Sequence, residues 1–284
     1  MPDDELVRST LRDQWHLQPS ELVPLPEDVL SRGWEATAGP QAYICRLVDA
    51  AARQPVEAGL IAAEHLRSRN IDAGEPVRTL GGGLTARTPA GALAVLRRLP
   101  GRRLDGGDPI DQQWWGDRLG AVHRALQGFQ HPGLRPWQPL DPGAAHLAAE
   151  PWLRGAVADA VSAATRLTVT DRLTYGVLHG DPAPTSFVVD PRTGRAGLLD
   201  CGASGVGPLV YDVAAAVVYA GGPEHSAELL DGYLAAGPVR RDEVDAALPV
   251  LLRLRWAVQA DRAARSGAAE PLRRAKAALE SGAV

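Results

Sequence analysis

The sequence is poor in lysine, cysteine, methionine and phenylalanine. Its 284 residues contain 30 Lys plus Arg, and Lys276 is the one lysine among them. Nearly every cationic side chain is therefore a guanidinium, which stays charged and meets carboxylate or phosphate as a planar fork. The two cysteines, Cys45 and Cys201, are too few for a disulfide framework and too far apart for a CxxC pair. No long apolar run occurs, the longest being Val213 to Ala220, far short of the roughly 20 residues that cross a bilayer. The opening MPDDELVRST lacks the basic-then-apolar order of a secretory leader. The seven histidines form no HExxH or His/Cys cluster, so no zinc site is expected. A net charge of −4 and a pI of about 6.0 are the wrong balance for coating nucleic acid or anionic membrane. These absences predict a cytoplasmic protein with no nucleic-acid and no membrane partner.

What is present builds a core. Apolar residues make up 45% of the chain, and its length suits one large domain or two lobes sharing a cleft. Apolar spacing predicts a short helix over 5–17 and strands over 22–26, 33–38 and 42–48, the last two joined by a Gly39-Pro40 turn. An amphipathic helix follows over 55–69, with Pro55 in its first turn. Two more strands are expected over 76–80 and 92–99, around a Gly-rich turn. The segment LPGRRLDGGDP at 99–109 is dense in Gly, Pro and charge and marks a boundary. Helical patterns then cover 110–127 and 144–166, a β-rich stretch covers 174–200, and helices resume at 211–220, 224–235, 240–263 and 268–281. The expected fold class is α+β: a small β-rich lobe over 1–98, a linker over 99–109, and a larger, mostly helical lobe over 110–284.

The stretch from Tyr175 to Asp212, YGVLHGDPAPTSFVVDPRTGRAGLLDCGASGVGPLVYD, carries the chemistry. Strand SFVVD runs into a PRTGR turn and strand AGLLD returns, so the start of one strand lies beside the end of the other. That reversal draws Asp181, just before the hairpin, toward Asp200 at its end. Two carboxylates so placed suit a divalent cation on one and a proton acceptor in the other.

These residues resemble the aminoglycoside phosphotransferase and choline kinase family, small-molecule kinases with a two-lobed protein-kinase-like fold. The resemblance rests on His179-Gly180-Asp181, the VVD…LLD hairpin, Gly207-Pro208 and Tyr211-Asp212-Val213-Ala214. It extends to GWEATAG…AYICRL, similar to the hairpin that covers the nucleotide, to the hinge-like LRRLPG, and to LGAVHRAL at 119–126. It implies an ATP- and Mg²⁺-dependent phosphotransferase acting on a hydroxyl of a small molecule or peptide. Asp181 would be the catalytic base, His179 would brace the loop, and Asp200 would hold Mg²⁺ with Ser186 as second ligand. Arg46 and Glu57 would orient the phosphates, adenine would meet the backbone near Arg97 and Leu99, and Asp212 would anchor the loop.

Two positions depart from the family pattern. Ser186 stands where HGDxxxxN ends in Asn, and Arg46 stands where the family carries lysine. The departures open a second reading, a kinase-fold binding module or partner of a biosynthetic enzyme that transfers no phosphate. Within the family, a Ser/Thr kinase of a natural-product precursor peptide is a further alternative. Residues 221–284 hold nine acidic and nine basic side chains, so no acidic cluster for a polycationic antibiotic is evident. Other patterns carry less. LLDCGAS lacks the second Asp loop of an aspartic protease, and GGGLTAR lacks the GK[ST] ending of a phosphate-binding P-loop. Trp114, Trp115 and Trp137 are expected in packing, and Cys201 as a small buried apolar group.

Overall fold

The computed structural model describes residues 3–25, 32–138, 140–170, 172–199 and 205–281. Asp200 and Cys201 lie outside the described residues. In chain order, α1 (Asp3–Trp15) and β1 (Glu21–Pro24) lead to β2 (Arg32–Ala38) and β3 (Gln41–Val48). Next come α2 (Arg53–Ser68), β4 (Asp72–Ala73), β5 (Glu75–Pro76), β6 (Thr85–Thr88), β7 (Gly91–Arg97) and β8 (Arg102–Arg103). Then follow α3 (Pro109–Ala125), β9 (Arg135–Pro136), α4 (Leu153–Thr170), β10 (Tyr175–Leu178), β11 (Phe187–Asp190), β12 (Arg195–Leu198) and β13 (Gly205–Pro208). Helices α5 (Val210–Ala220), α6 (Ala227–Ala236), α7 (Arg241–Ser266) and α8 (Ala269–Ser281) complete the chain. The content is α+β. Among the described residues no helix is long and apolar enough to cross a membrane.

Two compact units share these elements. The first takes in the described residues of Met1–Arg103, Phe129–Arg135 and Ser186–Ser204; the second takes in the rest. In the first unit an antiparallel sheet runs β1-β2-β3-β7-β5, with β6 also paired to β7. Successive strand side chains point to opposite faces. On one face Trp34, Tyr43, Cys45, Leu47, Leu93 and Val95 pack with Leu6, Val7, Leu11 and Trp15 of α1. On the other, Ala94 and Leu96 pack with Leu60, Val56 and Ile61 of α2. Strand β7 is covered on both faces, which explains the unbroken apolar run ALAVL. Two indoles close the first face through hydrogen bonds: Trp15 donates to the Val77 carbonyl at 2.8 Å and Trp34 to Asp4 at 2.7 Å.

The β11–β12 hairpin belongs to this first unit although it lies far beyond the 99–109 segment in the chain. Its strands pair Phe187 with Leu198, and it is flanked by β8 and, in parallel, by β4. The parallel pairing sets Gly197 opposite Asp72, and the packing there is so close that a Cβ at residue 197 would lie 2.9 Å from Leu99 Cδ1.

The second unit is mostly helical. Asp108 caps α3 by accepting from the Ile110 and Asp111 amides, with Pro109 in the first turn. Helices α3 and α6 approach backbone to backbone, and a Cβ at Gly116 would stand 2.0 Å from the Leu229 carbonyl oxygen. The 26-residue α7 buries Leu248, Leu251, Leu254, Ala257 and Ala260 and packs against α4, α5 and α8. Three local expectations change. The helix expected over 144–166 is a 3₁₀ turn at Ala145–Ala149 followed by α4, because Pro151 cannot continue an earlier helix. The strand over 76–80 shrinks to Glu75–Pro76, since Thr79 turns back: its amide donates to the Gly83 carbonyl and its carbonyl accepts from the Gly82 amide. The Gly-rich stretch then feeds a strand, β6, where the sequence pattern indicates only a turn.

Candidate active site

Strand β10 pairs antiparallel with β13, Leu178 opposite Gly205, and delivers the chain into His179-Gly180-Asp181. Gly180 has φ +85°, a left-handed conformation that side chains rarely adopt. The turn is held by Asp212 in the first turn of α5, whose side chain is fully buried. Its carboxylate accepts from the amides of His179 at 2.6 Å and Gly180 at 3.0 Å. It also lies 3.0 Å from Nε2 of His123 on α3, whose Nδ1 is 2.9 Å from the hydroxyl of Tyr233 on α6. A carboxylate only accepts, so His123 Nε2 carries the hydrogen of that bond. Burial, with the Asp212 and Glu243 charges, pushes the Tyr233 phenol well above its ordinary value. Three helices thus fix one loop through a single carboxylate, the anchoring role expected of Asp212.

His179 is buried, and its Nδ1 accepts from the Asp181 amide at 3.3 Å, a contact within the loop. Trp115, fully buried in α3, donates to the Pro182 carbonyl at 3.1 Å and fixes the residue after Asp181. Trp137 packs edge-on against Tyr211 at 5.4 Å, so these indoles serve packing.

Asp181 itself sits in a cluster that sequence patterning does not reveal. Oδ1 accepts from Tyr219 Oη at 2.7 Å and from Nη2 of Arg255, and Oδ2 lies 3.7 Å from Nη1 of Arg262. The Arg255 side chain is 0% exposed and lies between two rings of α5, 6.0 Å from the centroid of Tyr211 and 5.7 Å from that of Tyr219. Its Nε is buried with no hydrogen-bond partner among the described residues. Burial alone would raise the Asp181 pKa, but Arg255, the Tyr219 hydroxyl and Arg262 together hold it below the ordinary carboxylate range. Burial likewise opposes the charge on Arg255, and the facing Tyr211, Asp181 and Tyr219 oxygens overcome it. Tyr219 is pushed up by burial and by the Asp181 charge. The one trace of this cluster in the sequence is spacing: Arg255 and Arg262 are seven apart, hence on one face of a helix.

The remaining predicted residues lie in the first unit. Arg46 on β3 is opposite Ala94 of β7, and Ala94 is opposite Thr85 of β6. All three therefore stand on the face that α2 covers. There Glu57 of α2 accepts from Thr85 Oγ1 at 2.6 Å and from Arg53 Nε at 2.9 Å. Arg97 ends β7 and pairs with Glu75 at 3.2 Å, while Leu99 covers Gly197. Ser186 ends a 3₁₀ turn, and its carbonyl accepts from the Leu199 amide at 2.8 Å, extending the hairpin ladder by one pair. The next residue in sequence is Asp200. Hard oxygen donors are what Mg²⁺ takes, and of the two expected ligands only Ser186 belongs to the described residues. Among the described residues no group of three or more His, Cys, Asp or Glu could hold a metal ion. Cys45 is buried, and burial pushes its thiol up to about 12, so it is chemically inert.

These features define a phosphotransferase with a protein-kinase-like fold. The chain belongs to the phosphotransferase enzyme family, APH, whose profile matches residues 21–248. Solved structures agree on the fold. An amicoumacin kinase in complex with AMP-PNP, Ca²⁺ and Ami superposes with a TM-score of 0.79 at 18% identity, covering 98% of this chain and 93% of the other. A microcompartment-associated aminopropanol kinase gives 0.75 at 17% identity, with 99% and 95% covered. The GDP complex of aminoglycoside 2'-phosphotransferase-IIIa gives 0.71 at 12% identity, with 100% and 99% covered. No curated protein matches the chain by sequence.

Proposed function

We propose that the protein transfers the γ-phosphoryl group of ATP, with Mg²⁺, to a hydroxyl of a small molecule. The observation that carries this reading is Asp181 presented on a loop locked by Asp212, with one carboxylate oxygen tied inward and the other turned to Arg262. Phosphoryl transfer needs mainly positioning and neutralisation of charge, so a rigid loop is the principal requirement.

Asp181 Oδ2 receives the acceptor hydroxyl as a hydrogen bond and takes its proton as the new O–P bond forms and the bond to the leaving ADP breaks. Its lowered pKa makes it a weak base, suited to accept the proton late and to orient the oxygen throughout. His179 and Trp115 keep the loop in place while this happens. In the first unit Arg46 would take the phosphates as a bidentate fork, and Glu57, held by Arg53 and Thr85, lies on the same sheet face. Backbone near Arg97 and Leu99 takes the base. Asp200 and Ser186 would hold Mg²⁺, which when bound neutralises phosphate charge.

Calorimetric titration of ATP, with and without Mg²⁺, into wild type and Asp200→Ala tests the nucleotide half. Mg²⁺-dependent binding lost in Asp200→Ala is expected, followed by acceptor-dependent ADP release. A folded wild type that binds no ATP would favour the second reading, a kinase-fold binding module, for which Ser186 and Arg46 in place of Asn and Lys speak. The double change Ser186→Asn, Arg46→Lys separates the two: an adapted kinase loses turnover, and a lapsed one gains it.

A further inference from the structure

The surroundings of Asp181 in the second unit are cationic, and this bears on the acceptor. Helix α7 carries four acids, and three of them are engaged elsewhere: Asp242 with Arg240, Glu243 with Thr174, and Asp261 with His146 at 2.6 Å and Arg265 at 2.9 Å. Two of its arginines, sharing one helical face, turn instead to Asp181. Arg255 is consumed as the floor of the cluster, enclosed by Tyr211 and Tyr219. Arg262 is not consumed. Its side chain is 44% exposed, and its one partner among the described residues is Asp181 Oδ2 at 3.7 Å, beyond hydrogen-bond reach. One carboxylate and two guanidiniums leave a single positive charge at the exposed end. A polycation would be repelled there, and a dianion would exceed the available charge.

We propose that the acceptor is a monoanionic hydroxy acid and that Arg262 takes its carboxylate while the hydroxyl meets Asp181 Oδ2. This rests on the phosphotransfer reading above. A bidentate guanidinium–carboxylate pair fixes the acceptor as a plane rather than a point. Arg262 makes no hydrogen bond to Oδ2, so that oxygen can receive the hydroxyl while Arg262 holds the carboxylate. Arg255 and Tyr219 stay on Oδ1, so the Asp181 carboxylate keeps its orientation.

The test uses the full chain with ATP and Mg²⁺ and a panel of short-chain compounds matched in length: ω-hydroxy acids, their methyl esters and the corresponding amino alcohols. ADP release and ligand-induced shifts in melting temperature are read for wild type and for Arg262→Gln, with circular dichroism confirming that the variant is folded. The hydroxy acids should raise the melting temperature and be the best acceptors. Esterification should cost about 10–100-fold in kcat/KM, mainly through KM, and Arg262→Gln should erase the preference for acid over ester. Turnover that favours an amino alcohol or an ester overturns the proposal and leaves phosphotransfer standing. Acid binding that depends on Arg262, without ADP release from any acceptor, upholds the anion site and overturns phosphotransfer. No binding by any hydroxy acid overturns the proposal.

Discussion

Glu57 in the first unit and Asp181 in the second are both carboxylates clasped by an arginine and a hydroxyl, yet their arrangements differ in kind. Glu57 meets Arg53 four residues away on its own helix, with side chains 24% and 32% exposed. Asp181 meets an arginine 74 residues away that is wholly buried. A local, partly exposed pair is worth up to about 1 kcal/mol, because water competes for both charges. Losing one partner of a buried pair leaves the other charge without its compensation, and the cost rises to about 3–5 kcal/mol. The first clasp adjusts; the second fixes geometry.

Substitutions can sharpen or break that contrast. The largest effect is expected for Asp181→Asn, which should lower turnover by about 10²–10⁴-fold while nucleotide binding stays nearly intact. Turnover near wild type would remove Asp181 from the chemistry. Asp212→Ala strips three donors of their shared acceptor in a fully buried place. It should cost about 3–4 kcal/mol in urea unfolding and take most of the activity with it.

Arg255→Met comes next. In wild type the Asp181 pKa is depressed, so its contribution to stability is full above the unfolded value of about 3.9 and is lost as pH falls through the folded one. Without Arg255 the burial of Asp181 acts unopposed by its strongest partner, and the acid limb of kcat/KM should move to higher pH. Stability at neutral pH should fall by about 2–3 kcal/mol, less than for a fully enclosed pair because Asp181 keeps 37% exposure. An unmoved acid limb would show that Arg255 does not set the state of Asp181. Smallest of all, Glu57→Gln should change stability by under about 1 kcal/mol, and a larger loss would put Glu57 in the same class as Asp181.

The sequence is legible where pairing is local. Alternation in β2 and β3, the Pro- and Gly-bounded helices and the β11–β12 hairpin all follow from residues close together in the chain. The loop of His179, Gly180 and Asp181 is legible too, along with its anchor Asp212, because their order is distinctive. Strand β13, GVGP, escapes notice because glycine and proline hide its extended form, and its partner β10 lies well upstream. Arg255, Tyr219 and Arg262 escape for a different reason. Each reads as an ordinary helical residue, and only the packing of α5 against α7 turns them toward Asp181. Assigning β11 and β12 to the first unit depends likewise on tertiary pairing, with Asp72 and Ala73 far earlier in the chain.

That placement has a consequence for synthesis. The chain passes five times between the two units, and the first unit receives its final segment only with residues 186–204. On the ribosome, strands β4 and β8 therefore emerge long before their hairpin, and they wait with unpaired edges through the making of α3 and α4. Such edges are what holdase chaperones and aggregation compete for. The nascent chain reaches a protected state late, when most of the protein has already left the exit tunnel.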